Sequence, residues 1–356
     1  MYMRVWLPLC VVCIVLYNTE TEASAATVAQ VVADVDQARY RQYIEEKLYT
    51  RLGDDRGPDG TEHTLARINI YQHFASLGYR TTLHSFQRRD GGIGQNVVAI
   101  KPGTVRPEQI YVLGAHYDTV GTPGADDNAS GVAGIMEAAR VLAPYATEAT
   151  VTFVAFDVEE TGQEGSQAYA AVHRNDGIVA MISMDMISYR QPPENRVYIA
   201  SSNPNPLQND LVAAFDLYGN GVVPEVYDPP DRNLSDHRPF QEFTNACLVV
   251  EVSTNPNRDT PTDAIDQPGF ALDYAYATNI TRAVVGYLAT HAVVEGSLRG
   301  DVNQDGRVNI EDLRLLAQAW SSRRGDANYD ARRDLNHDGT VSSYDLLILI
   351  QDWPSR

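Results

Sequence analysis

Residues 113–131 read LGAHYDTVGTPGADDNASG. An apolar run, YVLGAH at 111–116, closes on a histidine, with Asp118 two residues on and a loop that ends in Asp126, Asp127 and Asn128. Gly, Pro, Asp and Asn belong where a chain reverses. A histidine closing a buried-type strand has no such origin. Next comes GVAGIMEAARVL from Gly131, with Val132, Ile135, Met136 and Ala139 on one helical face. Strand, acidic loop and helix together form the repeating unit of an α/β fold.

Working outward, apolar runs of the same kind recur at NVVAIK (96–101), IYVLGAH (110–116), TVTFVAFD (150–157), IVAMISMD (178–185) and ACLVVEV (246–252). TLARINIYQHFASLGY (64–79) has helical spacing and Gly78 as its stop. The plan predicts a mixed, mostly parallel sheet sandwiched by helices. His116, Glu159 and Asp185 each fall at or just past the end of a run, the edge where open α/β sheets build their sites.

The whole chain has 356 residues, 44% apolar and 21% charged, which is ordinary for a globular protein. Its formal charge of −19 is not ordinary. It argues against nucleic acid or an anionic membrane as partner, whereas clustered carboxylates suit divalent cations. Arg4, the apolar stretch from Val5 to Leu16 and the small residues Ala23 to Ala25 predict a secretory signal peptide over residues 1–25. The alternative, an uncleaved membrane anchor, has too short an apolar run to span a bilayer comfortably. Cleavage removes Cys10 and Cys13 and leaves Cys247 alone, so the mature chain has no internal disulfide.

Five ionisable clusters carry the chemistry: His116 with Asp118, Asp126 with Asp127, Glu159 with Glu160, Asp185, and Asp236 with His237. Each alone reads as structural. Gathered at one sheet edge they do not, because two carboxylates ~4 Å apart repel by about 4 kcal/mol at an effective dielectric of about 20. A divalent cation turns that repulsion into binding energy. Histidine mixed with Asp and Glu suits zinc better than calcium or magnesium.

The chain resembles the secreted zinc aminopeptidases of the M28 metallopeptidase clan from about Leu52 to Leu288. The resemblance rests on GAHYDT, GADDNASG, FVAFDVEETGQEGSQAYA, MDMIS and SDHRPF, in the family's order. It implies a sheet of about eight strands and a peptidase domain over 26–295. It also implies one or two zinc ions acting on a peptide or protein substrate. His116 and Asp185 would bind one metal, Asp127 would bridge, and Glu160 would bind the second. Glu159 would be the general base and Asp118 would hold the His116 ring. Glu159 and Glu160 are expected to diverge as neighbours in an extended segment. The family's last ligand is a histidine in YHTxxDT, but RDTPTDA stands here and puts Asp259 in that place. The resemblance further implies a cis bond between Asp127 and Asn128.

From Gly300 the texture changes. DVNQDGRVNIEDLRLLAQAW from Asp301 recurs as DLNHDGTVSSYDLLILIQDW from Asp334, a repeat of 33 residues that matches Leu313 with Leu346, Leu316 with Leu349 and Trp320 with Trp353. Positions one, three, five, nine and twelve are Asp301, Asn303, Asp305, Asn309 and Asp312, then Asp334, Asn336, Asp338, Ser342 and Asp345. With glycine at six, these are EF-hand-like calcium loops carrying Asp at twelve. The module (296–356) resembles a type I dockerin: small, all-α, with two calcium ions and a cohesin-type partner. Ile310 with Glu311, and Ser343 with Tyr344, hold the positions that contact cohesin in that family. The whole implies a secreted or extracellular enzyme, attached to a cell-surface scaffold and free of the membrane after cleavage. Two other readings stand beside it: a glutaminyl cyclase on the same fold, and a catalytically inactive M28 domain used for binding.

Overall fold

The computed structural model describes residues 27–228, 235–292, 300–303, 305, 307–335, 338–351 and 353. The signal-peptide reading (1–25) and Asn336 lie outside them. The chain opens with helices α1 (Val28–Ala33), α2 (Gln37–Lys47) and α3 (Thr61–Ser76), then strands β1 (Arg80–Gln87), β2 (Ile93–Lys101) and β3 (Arg106–His116). Next come α4 (Ala129–Leu142), β4 (Ala149–Phe156), α5 (Glu164–His173), β5 (Ile178–Met184), β6 (Arg196–Ala200) and α6 (Pro206–Tyr218). β7 (Val223–Tyr227), β8 (Asn245–Glu251) and α7 (Tyr274–His291) follow, and α8 (Ile310–Gln318) and α9 (Ser343–Gln351) belong to the repeat.

The eight strands form one sheet in the order β1-β2-β4-β3-β5-β8-β6-β7. The centre, β4-β3-β5-β8, is parallel, and the flanks join it through the antiparallel β2–β4 and β6–β8 pairs. Both faces are covered, so β4 is buried at every position and the central strands carry apolar runs rather than a strict alternation. In β4, Val151, Phe153 and Ala155 point into the larger core with α4 and α7, while Val154 and Phe156 point the other way, toward Tyr169 of α5 and Phe240. Each large side chain so buried contributes ~1.5–3 kcal/mol. α3 ends two residues before Gly78, whose φ of 84° turns the chain out of the helix.

Three strands were not among the apolar runs. β1 is an edge strand with one buried residue, and β6 and β7 are five residues each. β1 and β7 bury too little to leave a pattern, and β6, although three of its residues are buried, is too short to show one.

The repeat has its own small core: Val302, Val308, Leu316, Ala319, Leu335, Val341 and Leu349, with Leu313 and Leu346 packed against it. The matched tryptophans do not share it. Trp320 and Trp353 follow the last turns of α8 and α9 and are 44% and 37% exposed.

Candidate metal centre

Parallel pairing brings the site together. His116 is the last residue of β3 and pairs with Phe156, the last of β4, while Gly114 pairs with Ser183 near the end of β5. Side chains just beyond these ends therefore share one edge. After β4 the chain does not stay extended: Val158 has φ 60° and Glu160 opens a turn. The divergence of Glu159 and Glu160 thus comes from a tight turn, a correction to the extended reading. Asp118 fixes that turn by accepting from the backbone N–H of Glu159 (2.9 Å) and of Glu160 (3.3 Å).

The loop from Tyr117 to Asn128 is drawn in by the fully buried Arg56, which donates to the carbonyls of Leu48, Tyr117, Pro123 and Gly124. Gly124 has φ 57°, and a Cβ there would meet the Asp127 carbonyl at 2.1 Å, so only glycine fits. The N–H groups of Asp126 and Asp127 both donate to Asp263. The Asp127–Asn128 bond is cis, as is Asp185–Met186. Asn128 caps α4 through Gly131 and reaches the Met184 carbonyl at 2.9 Å, tying the helix to the end of β5.

His116, Asp127 and Glu160 offer ligand atoms that all lie within 4.8 Å of one another. His116 Nε2 stands 3.2 Å from Asp127 Oδ1 and 3.5 Å from Asp185 Oδ1. Its Nδ1 is 3.2 Å from the Asp118 carbonyl and 3.6 Å from the Asp118 carboxylate. Asp118 thus touches the ring mainly through its backbone. An Nδ1–H donating there leaves the Nε2 lone pair facing two carboxylates, an arrangement that needs a proton or a cation between them. Glu160 Oε1 is buried with no hydrogen-bond partner among the described residues. The donor set of one imidazole and several carboxylates, with an orphaned oxygen, fits a zinc-type cation.

The electrostatics agree. Burial pushes Glu159 well above the ordinary carboxylate range, with Asp236 and Asp185 adding to the rise and His116 opposing it. Burial likewise raises Glu160 to about 8 and Asp236 to about 7. Asp185 is largely enclosed too, yet the charge of His116 and hydrogen bonds from His116 and Ser235 hold it low.

Asp259, expected at the place of the last ligand, stands apart from the cluster. Its side chain is 61% exposed, and it pairs with Arg258 at 3.4 Å instead of joining the cluster. Arg258 turns inward, its Nε 3.1 Å from Asp127 Oδ2. His237 is fully buried, and neither ring nitrogen has a hydrogen-bond partner among the described residues. Asp263, Arg56, Ser235 and Arg258 carry no role in the sequence reading, although Ser235 opens SDHRPF and Arg258 and Asp263 lie within RDTPTDA; Arg56 left no signal.

In the repeat, the carboxylates at position twelve close the loops. Asp312 accepts from the N–H groups of Asn303 and Asn309, and Asp345 from that of Ser342. Asp301 and Asp334 accept from the N–H groups of Asp305 and Asp338 in matching fashion. Ile310 and Tyr344 are 56% and 65% exposed, and Glu311 and Ser343 also face solvent.

Residues 96–285 match the model of Peptidase family M28, and residues 299–352 match that of the dockerin type I domain. The chain belongs to peptidase family M28. A protein of Escherichia coli named uncharacterized protein YfbL is 34% identical over 246 residues, 64% of this chain and 67% of its own length. A probable zinc metalloprotease of Pyrenophora tritici-repentis is 38% identical over 207 residues, 46% of each chain. The match to that fungal relative thus spans less than half its length. Among solved structures, the Legionella pneumophila LapA aminopeptidase aligns with a TM-score of 0.63 at 22% identity, over 74% of this chain and 73% of its own. Macrostomum lignano glutaminyl cyclase aligns at 0.62 and 18%, over 74% and 92%. At these identities the M28 body shares their fold, without their chemistry following from it. Among the described residues no helix is long and apolar enough to cross a membrane.

Proposed function

We propose that the chain is a secreted zinc-dependent aminopeptidase, carried on a calcium-dependent dockerin that binds a cohesin-type partner. The observation that carries this reading is the convergence of His116, Asp127 and Glu160 at the carboxyl edge of β3 and β4, with Glu159 beside them. His116, Asp127, Glu160 and Asp185 would hold the metal. When bound, zinc supplies a polarised carbonyl and a water acidified toward neutral pH.

The protein's own groups do the rest. Glu159 takes the proton of the attacking water and returns it to the leaving amine. Its burial and its acidic neighbours lift its affinity for that proton, which suits a group that must first take it and then give it back. Asp118 keeps Glu159 and Glu160 in place through their backbone, and Ser235 orients Asp185. The boundaries follow from the same reading: a leader over 1–25, the peptidase body over 26–295 and the dockerin over 296–356. In each dockerin loop one calcium ion would sit among the acidic side chains. Ile310, Glu311, Ser343 and Tyr344 would face the cohesin, and a scaffold at the cell surface would hold the secreted enzyme.

The test is release of free amino acids from unblocked peptides by zinc-loaded protein, with N-acetylated peptides as control. Release from the unblocked set alone is expected. Cyclisation of N-terminal glutamine without hydrolysis would instead make the body a glutaminyl cyclase. No turnover at any metal loading would make it a binding domain.

A further inference from the structure

Asp127 divides its two oxygens between different partners. Oδ1 faces His116 Nε2 at 3.2 Å, and Oδ2 faces Arg258 Nε at 3.1 Å. The carboxylate is 4% exposed, so neither oxygen is turned to bulk water. A bridging carboxylate gives one oxygen to each of two cations. Here one of those cations is already part of the chain.

The neighbouring residue cannot restore a second metal ligand. Asp259 has φ 57° and a side chain 61% exposed, and its Oδ2 lies 3.4 Å from the same Arg258 Nε. Arg258 Nε thus faces two carboxylates at once, one buried and one in solvent. The guanidinium stays charged at any working pH. A divalent ion on Asp127 Oδ2 would meet a like charge at close range, with no imidazole to hold it. The residues present fit one metal ion and not two.

We propose that the centre holds a single divalent ion, among His116, Asp127, Glu160 and Asp185, and that Arg258 is the built-in second cation, clamping Asp127 where a second metal would otherwise sit. This rests on reading the cluster as a zinc centre. It also sets what the second position does. A guanidinium offers N–H donors where a metal would offer coordination, so that side of the pocket holds its ligand by hydrogen bonds to oxygen.

The test is metal counting on the full chain. The protein is stripped, reloaded with excess zinc under saturating calcium, desalted, and assayed for both elements. Wild type is expected to carry one zinc per chain, and titration of zinc against a chromophoric chelator should show one step. The double variant Arg258→Ala with Asp259→His should rise to two zinc per chain and show a second step, while Arg258→Lys should stay at one. Circular dichroism checks that each variant is folded. Should the double variant fail to fold, the wild-type count still decides. Two zinc ions in the wild type overturn the inference and leave the zinc centre standing. No zinc in the wild type overturns the zinc reading itself, and the inference with it.

Discussion

The peptidase body and the C-terminal repeat both rely on aspartates, but they support them by opposite means. In the body, Asp118, Asp126 and Asp127 lie almost wholly inside, positioned by a sheet and helices whose cores exist without them. In the repeat, Asp312, Asp334 and Asp345 are equally buried, yet among the described residues only seven buried apolar side chains form the core around them. The body builds a frame and places charges on it. The repeat has so little frame that the ions its charges gather must serve as part of it. A module of this size with no cysteine sits below the range where apolar burial alone is reliable.

The largest expected effect separates the two regions outright. Removing calcium should unfold residues 300–353 and leave the body folded. Calcium at a hundred times its dissociation constant adds ~2.7 kcal/mol per site, comparable with the whole margin of so small a unit. Hydrogen exchange on the full chain is the measurement, in excess chelator with zinc restored, then with calcium added back. Equal protection of α8 and α9 in both states would show that the repeat is framed as the body is, and the contrast would be lost.

The second prediction tests whether the body's frame is independent of its chemistry. Glu159→Gln should lower kcat by ~10² to 10⁴, the usual worth of a positioned base, with zinc content and melting temperature unchanged. Its backbone N–H still reaches Asp118, so the turn should hold. Turnover near that of the wild type would remove Glu159 from the role of base.

A third compares the cores directly. Phe153→Ala in β4 leaves a cavity among Phe74 and Tyr79 and should cost ~3–5 kcal/mol. The body should melt earlier but remain folded at room temperature. Leu316→Ala in α8 should cost ~2–5 kcal/mol and show itself as a higher calcium concentration needed for folding. If calcium titrations of Leu316→Ala and wild type overlay, the apolar core of the repeat and its ions are not coupled.

The legible parts of this molecule are those that repeat a pattern locally. β2, β3, β4, β5 and β8 are apolar at successive positions because helices cover both faces of the sheet, and that shows in five or six letters. β6 and β7 lie at one flank, each five residues long, with β7 burying none of them, and leave no such trace. In the site, His116, Glu159 and Asp185 stand out because each falls at or just past the end of an apolar run, whereas Asp127 and Glu160 are singled out by the family resemblance. Arg56 and Asp263 do not stand out, since they act on backbone groups far away in the chain. Asp263 meets Asp126 and Asp127 across 137 and 136 residues. Asp259 is hard to place from sequence for a related reason. Spacing alone does not say which of two adjacent residues turns inward, and at that position Arg258 does.

The smallest effect probes that long-range contact. Asp263 accepts from the N–H groups of Asp126 and Asp127 and from the Asn255 amide, so its carboxylate holds the backbone that carries the central metal-binding side chain. Asp263→Asn keeps the shape but leaves one oxygen to accept, and its amide N–H₂ would face a backbone N–H, donor against donor. Asp127 should then lose its fixed direction. Partners that orient ligands in this way are typically worth ~10- to 100-fold in metal affinity, less than the loss expected for Glu159→Gln. Competition with a chromophoric zinc chelator measures it, and thermal melting of the metal-free protein provides the control. The control is needed because burial raises Asp263 to about 6, so its charge is costly to keep inside. A folded-state pKa above the ordinary value means that this carboxyl's own contribution to stability declines as pH rises toward and past 6. Asparagine escapes that decline. Above pH 6 the metal-free variant should therefore lose less stability than the broken hydrogen bond alone implies, while its zinc affinity still falls. If zinc affinity is unchanged and only stability moves, Asp263 supports the loop and not the metal centre.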